Sequence, residues 1–448
     1  MRTLASLAPL ALAAAAALLL GGAATAARTI YRHAALIDGT GAPVKRDMAV
    51  IVEGERIAAV LPDRHLARRR LAGARLVDLS GRFLLPGLID SHVHLATPPD
   101  RPRALAVLRR DLYGGVTAVR DMADDLREIG WLARSARDSA IPAPDIFYAA
   151  LVAGPSFFDD PRTQAAAKGA VAGKVPWMQS VAPGADLRAI VAAAKGTGAT
   201  ALKIYANLDG PTVAALAREA HRQGLKVWAH AMVFPATPAE VIAAGPDSVS
   251  HVCYLAYQAM QRRPDSYQHR FPVDPALFAG GDNPAMVRLY AAMRRRGILL
   301  DATLYVYPAA ERVERGRGKP PYCTLELASK LANQAWRSGV AISAGTDAEA
   351  PRESLWPALT EEMELLGRAG LPPLEVIGAA TLAGARAAGQ QRDMGSVAPG
   401  KLANLVVLSR DPTESLPNLR SVVMTVKRGR EYERSGYTPI APGEMNDD

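Results

Sequence analysis

Residues 81–94, GRFLLPGLIDSHVH, constrain this chain more than any other stretch. The apolar run Leu84-Leu85-Pro86-Gly87-Leu88-Ile89 leads straight into Asp90-Ser91-His92-Val93-His94. Side chains alternate along an extended strand, so His92 and His94 project to one side and Val93 to the other. Two neutral imidazoles side by side at the end of a buried strand can hold one metal ion. The other ligands of such a site must come from elsewhere in the chain, and a fold that gathers strand ends at one place is required.

With 448 residues the chain can form one large barrel plus a smaller domain, or two or three ordinary domains. Pro and Gly are spread throughout and 49% of residues are hydrophobic, which makes the chain globular. The formal charge of +9 comes from arginines scattered among acids. The runs Arg68-Arg69-Arg70 and Arg294-Arg295-Arg296 lack interleaved aromatics and read as solvated surface, so no nucleic-acid partner is expected.

Residues 1–27 read as a signal peptide. Arg2 precedes a run from Leu7 to Leu20 that is almost entirely Leu and Ala, and Ala24-Thr25-Ala26 fits a cleavage pattern. An uncleaved anchor competes, because the run approaches spanning length. Export to the periplasm or beyond is expected, with no stable membrane insertion after cleavage. Cys253 and Cys323 could pair in such a compartment, which the sequence leaves open, and two cysteines exclude a disulfide framework.

From residue 28 to 83 the texture is short strands and turns: Thr29-Ile30-Tyr31, Ala35-Leu36-Ile37, Met48 to Val52 and Ile57 to Val60. It returns over 391–435 with Leu405 to Leu408 and Ser421 to Val426, before a tail at 436–448. Both ends are expected to build one flanking β-sandwich domain. Between them, over 84–390, strands alternate with helices. After the His92 strand come Thr117 to Asp121, Ile146 to Ala150, Ala201 to Tyr205 and Lys226 to His230. Ser248 to His251, Leu299 to Tyr305 and Val340 to Ser343 complete eight. Helices are expected over Leu187 to Ala194, Pro211 to Arg222, Pro238 to Ala244 and Pro284 to Arg296. Thr237-Pro238-Ala239-Glu240 supplies a capping box with proline at the first helical position. This order predicts an α/β fold, a closed (β/α)8 TIM barrel, with an open doubly wound sheet as the alternative.

Functional residues of such a barrel sit at the C-terminal ends of its strands. His92 and His94 end strand one, Lys203 lies in strand four, His230 ends strand five, His251 ends strand six and Asp347 follows strand eight. Four of the eight histidines therefore share one face with an aspartate.

These segments resemble the amidohydrolase superfamily, metal-dependent hydrolases on a (β/α)8 barrel with a flanking β-domain. The resemblance runs from Ala35 to Gly429. It is carried by Pro86 to His94, Gly114 to Asp121, Leu202 to Tyr205, Val227 to Ala231, Asp247 to His251, Ala344 to Asp347, Ala379 to Thr381 and Gly395 to Leu408. It implies the two-metal subgroup, in which His92, His94 and Asp347 hold one ion and His230 and His251 the other. Lys203, carboxylated on its amine, bridges them. A carbamate offsets positive charge where an ammonium would be repelled. Zinc is the default ion for imidazole and carboxylate ligands, with manganese or cobalt as competitors. Asp347 is then the general base and acid that serves a metal-activated hydroxide.

The resemblance further implies a small-molecule substrate with an amide bond, a dipeptide or an N-acyl amino acid. Alternatives are a lactone, a cyclic imide or an organophosphate ester, or a binding protein without chemistry. A deaminase fits less well, because the resembling deaminases carry a glutamate soon after the strand-five histidine, and here none precedes Glu240. Relatives often have a glycine-rich or histidine-containing segment after that histidine, where this chain has Met232-Val233-Phe234-Pro235. A homo-oligomer is compatible with the sequence.

The insertion from Val252 to Asn283 carries Tyr254, Tyr257, Arg262, Arg263, His269 and Arg270. These are expected to be solvated loop residues, or else a lid whose arginine or tyrosine binds a substrate carboxylate. Pro155 to Pro183, with Phe157, Phe158 and Trp177, is a second candidate lid. His33, His65 and His221 are expected at the surface.

Overall fold

A computed structural model describes residues 28–68 and 72–445. The expected signal peptide at residues 1–27, Arg69 and Arg70 of the arginine run, and the last three residues of the tail lie outside the described residues. No helix among the described residues is long and apolar enough to cross a membrane.

Eight parallel strands form the central barrel: Leu88–Val93, Val116–Asp121, Asp145–Ala153, Ala201–Ile204, Lys226–His230, Ser248–Ser250, Leu299–Asp301 and Ile342–Ser343. Each pairs in parallel with the next in chain order. Strands eight and one are joined by single bonds. Ser91 N donates to Ala344 O at 2.8 Å and Asp347 N to His92 O at 2.9 Å. The sheet therefore closes on itself, and the open-sheet alternative is excluded. Strand four, Ala201-Leu202-Lys203-Ile204, is buried at every position, as expected when helices cover one side and other strands the other.

Helix starts follow from local chemistry. Asp186, Asp209, Thr237 and Asn283 each accept from backbone N–H groups of the first turn, and proline occupies that turn in the helices Gly210–Arg222, Pro238–Ala244 and Pro284–Arg296. The capping box of Thr237 and Glu240 is complete.

Both chain ends form a second, eight-stranded sheet, with Arg28–Leu36, Lys45–Glu53, Arg56–Pro62, Arg75–Asp78 and Phe83–Pro86 from one end and Leu405–Leu408, Val422–Lys427 and Arg430–Glu433 from the other. Phe83–Pro86 runs antiparallel to Leu405–Leu408 and passes at once into barrel strand one. Gly87 makes this transition because a Cβ there would stand 2.2 Å from Thr117 Oγ1. The small sheet thereby holds the His92 strand at its root.

Most strand ends shift by one to three residues from expectation, and three differences change the local structure. The two strands anticipated at Thr29–Tyr31 and Ala35–Ile37 are one strand with irregular register, His33 taking φ +57°. Strand six ends at Ser250, and His251, at φ +71°, starts a short helix. Strand seven ends at Asp301 rather than Tyr305, because Thr303 turns to φ +51° and a helix runs over Val306–Gly316. Thr303, Leu304 and Tyr305 after Asp301 suggested a longer strand, but the turn redirects them.

The insertion after strand six is tied down. Cys253, in the helix Val252–Ala256, is bonded to Cys323, with Cα atoms 6.2 Å apart and a separation of 70 positions in sequence. Closing a loop of that length removes unfolded-state entropy worth about 4 kcal/mol in the chain-entropy model. Cys323→Ala should therefore lower thermal stability by up to about that amount, and full-length protein should show the same loss on reduction. Identical melting curves with and without reductant would contradict a stabilising crosslink.

Candidate metal centre

The six residues singled out from sequence converge at the barrel mouth. Asp347 lies among the imidazoles: Oδ1 is 3.2 Å from His92 Nε2 and 3.4 Å from His94 Nε2, and Oδ2 is 3.8 Å from His251 Nδ1. Ligating atoms of His92, His251 and Asp347 all fall within 4.8 Å of one another, a spacing suited to a metal centre. His230 packs on His251, ring centres 4.8 Å apart. Lys203 sits beneath them on strand four, fully buried, and its Nζ has no hydrogen-bond partner. His230 Nδ1 is likewise buried and unpartnered. Buried polar atoms without partners are uncommon, and this pair faces a set of imidazole and carboxylate donors suited to a divalent cation. The residues fit such an ion.

Backbone strain helps to aim this group. His251, Thr303 and Asp347, at the ends of strands six, seven and eight, all adopt positive φ although none is glycine. Gly345 is needed for a different reason. A Cβ there would lie 2.3 Å from Asp301 Oδ1 and 2.8 Å from His92 Cβ, so only glycine lets strand eight approach the His92 strand.

A layer behind the ligands orients them. His92 Nδ1 bonds Asp301 Oδ2 at 2.7 Å, His94 Nδ1 bonds Asp124 Oδ1 at 2.8 Å, and His251 Nδ1 bonds Thr303 Oγ1 at 3.0 Å. With Nδ1 donating to a carboxylate, Nε2 of His92 and His94 is the atom left to ligate an ion. Burial opposes charge on the His94 ring, but Asp124 and Asp347 raise it to about 10, so an ion bound at its Nε2 would displace a proton. Asp301 also accepts from Ser250 Oγ at 3.1 Å and Arg120 at 3.3 Å. Asp90 accepts from Thr346 N and Oγ1 and from His92 N, pinning the turn that carries Asp347 to strand one. Sequence reading placed Asp90 beside the site but missed Asp124, Asp301 and Thr303. Their only signal was position at or just past the ends of strands two and seven.

The electrostatics follow from crowding. Burial drives the Lys203 amine down to about 7, helped by the Arg120 guanidinium. Burial also lowers His251 to about 3 and pushes His230 well below its ordinary value. Both rings are therefore neutral and available as ligands. Asp347 is opposed by burial, yet His92 and His251 hold its carboxyl well below the usual range, so it is ionised at neutral pH.

Over this group lies a cavity of about 360 Å³, with His94, His251 and Asp347 in its floor and Phe157, Tyr205, Tyr254, Tyr267, Arg270 and Tyr322 in its walls. Two insertions build those walls. Phe157 and Phe158 in the segment after strand three are buried, and Phe157 packs 4.6 Å from Tyr205. Tyr254 and Tyr257 are buried too, which corrects the expectation of solvated loop residues; a disulfide-tied helix holds them inward. Arg262 and His269 are exposed, as expected, and Arg263 folds back on Tyr257 O. His65 lies exposed, and His33 and His221 pair with Asp47 and Asp247 away from the site.

Comparison with known proteins places these features in context. The sequence profile of the amidohydrolase family matches residues 83–432. A 5-methylthioadenosine/S-adenosylhomocysteine deaminase of Symbiobacterium thermophilum is 25% identical over 87% of this chain and 87% of its own. An imidazolonepropionase of an Anaeromyxobacter species is 27% identical over 85% of this chain and 89% of its own. Among solved structures, a Xaa-Pro dipeptidase with bound methionine superposes with a TM-score of 0.70 at 22% identity, covering 91% of this chain and all of that one, a likeness of fold.

The orienting layer predicts its own effects. Asp301→Asn should weaken retention of divalent metal by about 10- to 100-fold while the chain stays folded, measured by metal analysis after dialysis against graded chelator. Gly345→Ala should reduce metal content more severely, by pushing His92 and Asp301 apart. Unaltered metal content in both variants would contradict the orienting role.

Proposed function

The chain belongs to the amidohydrolase family, and from that premise we propose that it is an exported hydrolase of amide bonds in dipeptides or N-acyl amino acids. The observation that carries this reading is the convergence of four histidines, Asp347 and the unpartnered Lys203 amine beneath one cavity. In this reading His92, His94 and Asp347 would hold one divalent ion and His230 and His251 a second, zinc in each case, with carboxylated Lys203 as a ligand that both would share. Bound cations would lower the pKa of water and polarise the scissile carbonyl. A neutral buried amine is the form of lysine able to take up carbon dioxide, and the lowered Lys203 value supports that step.

The chain's own groups then divide the work. Asp347, ionised and flanked by His92 and His94, accepts the proton of the attacking water and returns it to the leaving amine. Asp301 and Asp124 keep the two imidazoles turned so that Nε2 faces the reaction. The aromatic walls exclude bulk water and strengthen these interactions. Deamination is disfavoured because Glu240 is exposed and occupied in the cap of its own helix. Export is supported by the Cys253–Cys323 bond, since such bonds persist in oxidising compartments.

Lys203→Ala should abolish loading of two ions per chain and lower turnover by more than about 100-fold, beyond what loss of an outer-layer partner costs. Unchanged metal stoichiometry would remove the bridging role. A hydrolysis screen over dipeptides, N-acyl amino acids, lactones and phosphotriesters should find turnover with the amides that chelator abolishes. Turnover confined to lactones or phosphotriesters would overturn the bond assignment.

A further inference from the structure

Of the two cavity arginines, Arg270 is the one without a paired carboxylate, Asp160 feeling its charge only at longer range. Arg162, which also lines the cavity, is paired with Asp160 at 2.7 Å and donates to Tyr267 at 3.1 Å. Arg270 pairs with no carboxylate among the described residues. Its guanidinium donates to the Tyr254 hydroxyl and lies 3.8 Å over the ring of Tyr267, with Tyr322 at 5.4 Å. Ring faces attract a guanidinium without using its in-plane N–H donors, and those not given to Tyr254 match a carboxylate in a forked pair.

Its position relative to the reaction centre is defined by the same rings. Tyr267 carries Arg270 over its ring and lies 5.9 Å from His230, nearly parallel to it. Tyr254 bridges similarly, 5.3 Å from His251 while holding the guanidinium by its hydroxyl. The cation therefore stands one ring away from the group that would hold the scissile carbonyl. The insertion is anchored at that point: Tyr267 N donates to Asn207 Oδ1 at 2.9 Å, and the disulfide fixes Cys253 beside Tyr254 and Cys323 beside Tyr322.

We propose that Arg270, caged by Tyr254, Tyr267 and Tyr322, is the anchor for the free carboxylate of the substrate's amino-acid portion, so that this hydrolase selects amides of amino acids over neutral amides. The assignment rests on the amide-hydrolase reading and makes the insertion after strand six, rather than the segment after strand five, the specificity element. Met232-Val233-Phe234-Pro235, in that latter segment, offers no charged group.

The test separates the anchor from the chemistry. Chelator-treated protein is titrated calorimetrically with N-benzoyl amino acids and with their carboxamides, in wild type, Arg270→Met and Arg270→Lys. Wild type should prefer the acid by about 10- to 100-fold, the range of a charge-assisted pair. Arg270→Met should lose that preference without weakening the carboxamide, and Arg270→Lys should keep part of it. Metal-loaded Arg270→Met should raise KM for the acid with kcat little changed. Equal affinity for acid and carboxamide in wild type, or a loss in Arg270→Met that strikes both ligands alike, would overturn the anchor. Discrimination that depends on Arg270 without any amide turnover would instead count against the amide-hydrolase reading alone.

Discussion

A cation buried at the barrel axis organises this molecule. Arg120 of strand two is fully buried; its Nε donates to Ser91 O at 2.6 Å, one terminal nitrogen to Ser248 Oγ at 2.6 Å and the other to Asp301. Its guanidinium also stacks 4.6 Å over Trp228 of strand five. One side chain thus touches strands one, five, six and seven. Breaking a buried pair of this kind leaves an uncompensated charge, which costs about 3–5 kcal/mol. Asp301 completes the link to function. Burial alone would raise its pKa, but His92 and Arg120 hold it below the usual carboxylate range. The same carboxylate that neutralises the barrel's central charge therefore orients the first histidine of the site.

The mouth of the barrel is built on a different principle. Below the ligands Arg120, Asp301, Ser248 and Ser250 are matched across strands while Lys203 Nζ is left unpartnered, whereas above them the walls are aromatic rings carried largely by insertions. Phe157, Tyr205, Tyr254, Tyr257, Tyr267 and Tyr322 make a nearly continuous ring surface around His230 and His251. Large planar side chains with few rotatable bonds give a defined shape at low entropic cost. The crosslink between Cys253 and Cys323 adds to this by holding two distant segments against the same wall. A rigid floor with variable walls is the arrangement through which one barrel architecture accommodates many substrates.

Much of this was legible in the chain itself, and the reason is local. His92 and His94 share a side because a strand alternates, the Thr237 cap is a matter of four consecutive residues, and strand-helix alternation with turn residues announces a barrel. Where expectation slipped, a tertiary force intervened. The run from Leu299 to Tyr305 has the composition of one strand, but Thr303 turns it so that its hydroxyl meets His251. Tyr254 and Tyr257 sit in what reads as a polar loop and were expected in solvent; packing and a crosslink that sequence left open bury them.

The amino-acid sequence by itself determined the fold class, the ligand-type side chains and the strand ends that carry them, because periodicity and residue chemistry act over a few positions. Only the tertiary structure decided which groups stand behind those ligands, which cysteines meet, and that Arg270 faces the cavity without an acid. Those relations join residues that are far apart along the chain, such as His92 with Asp301, 209 positions away. Distance in sequence carries no trace of them, since they arise only when the barrel closes and brings its strand ends together.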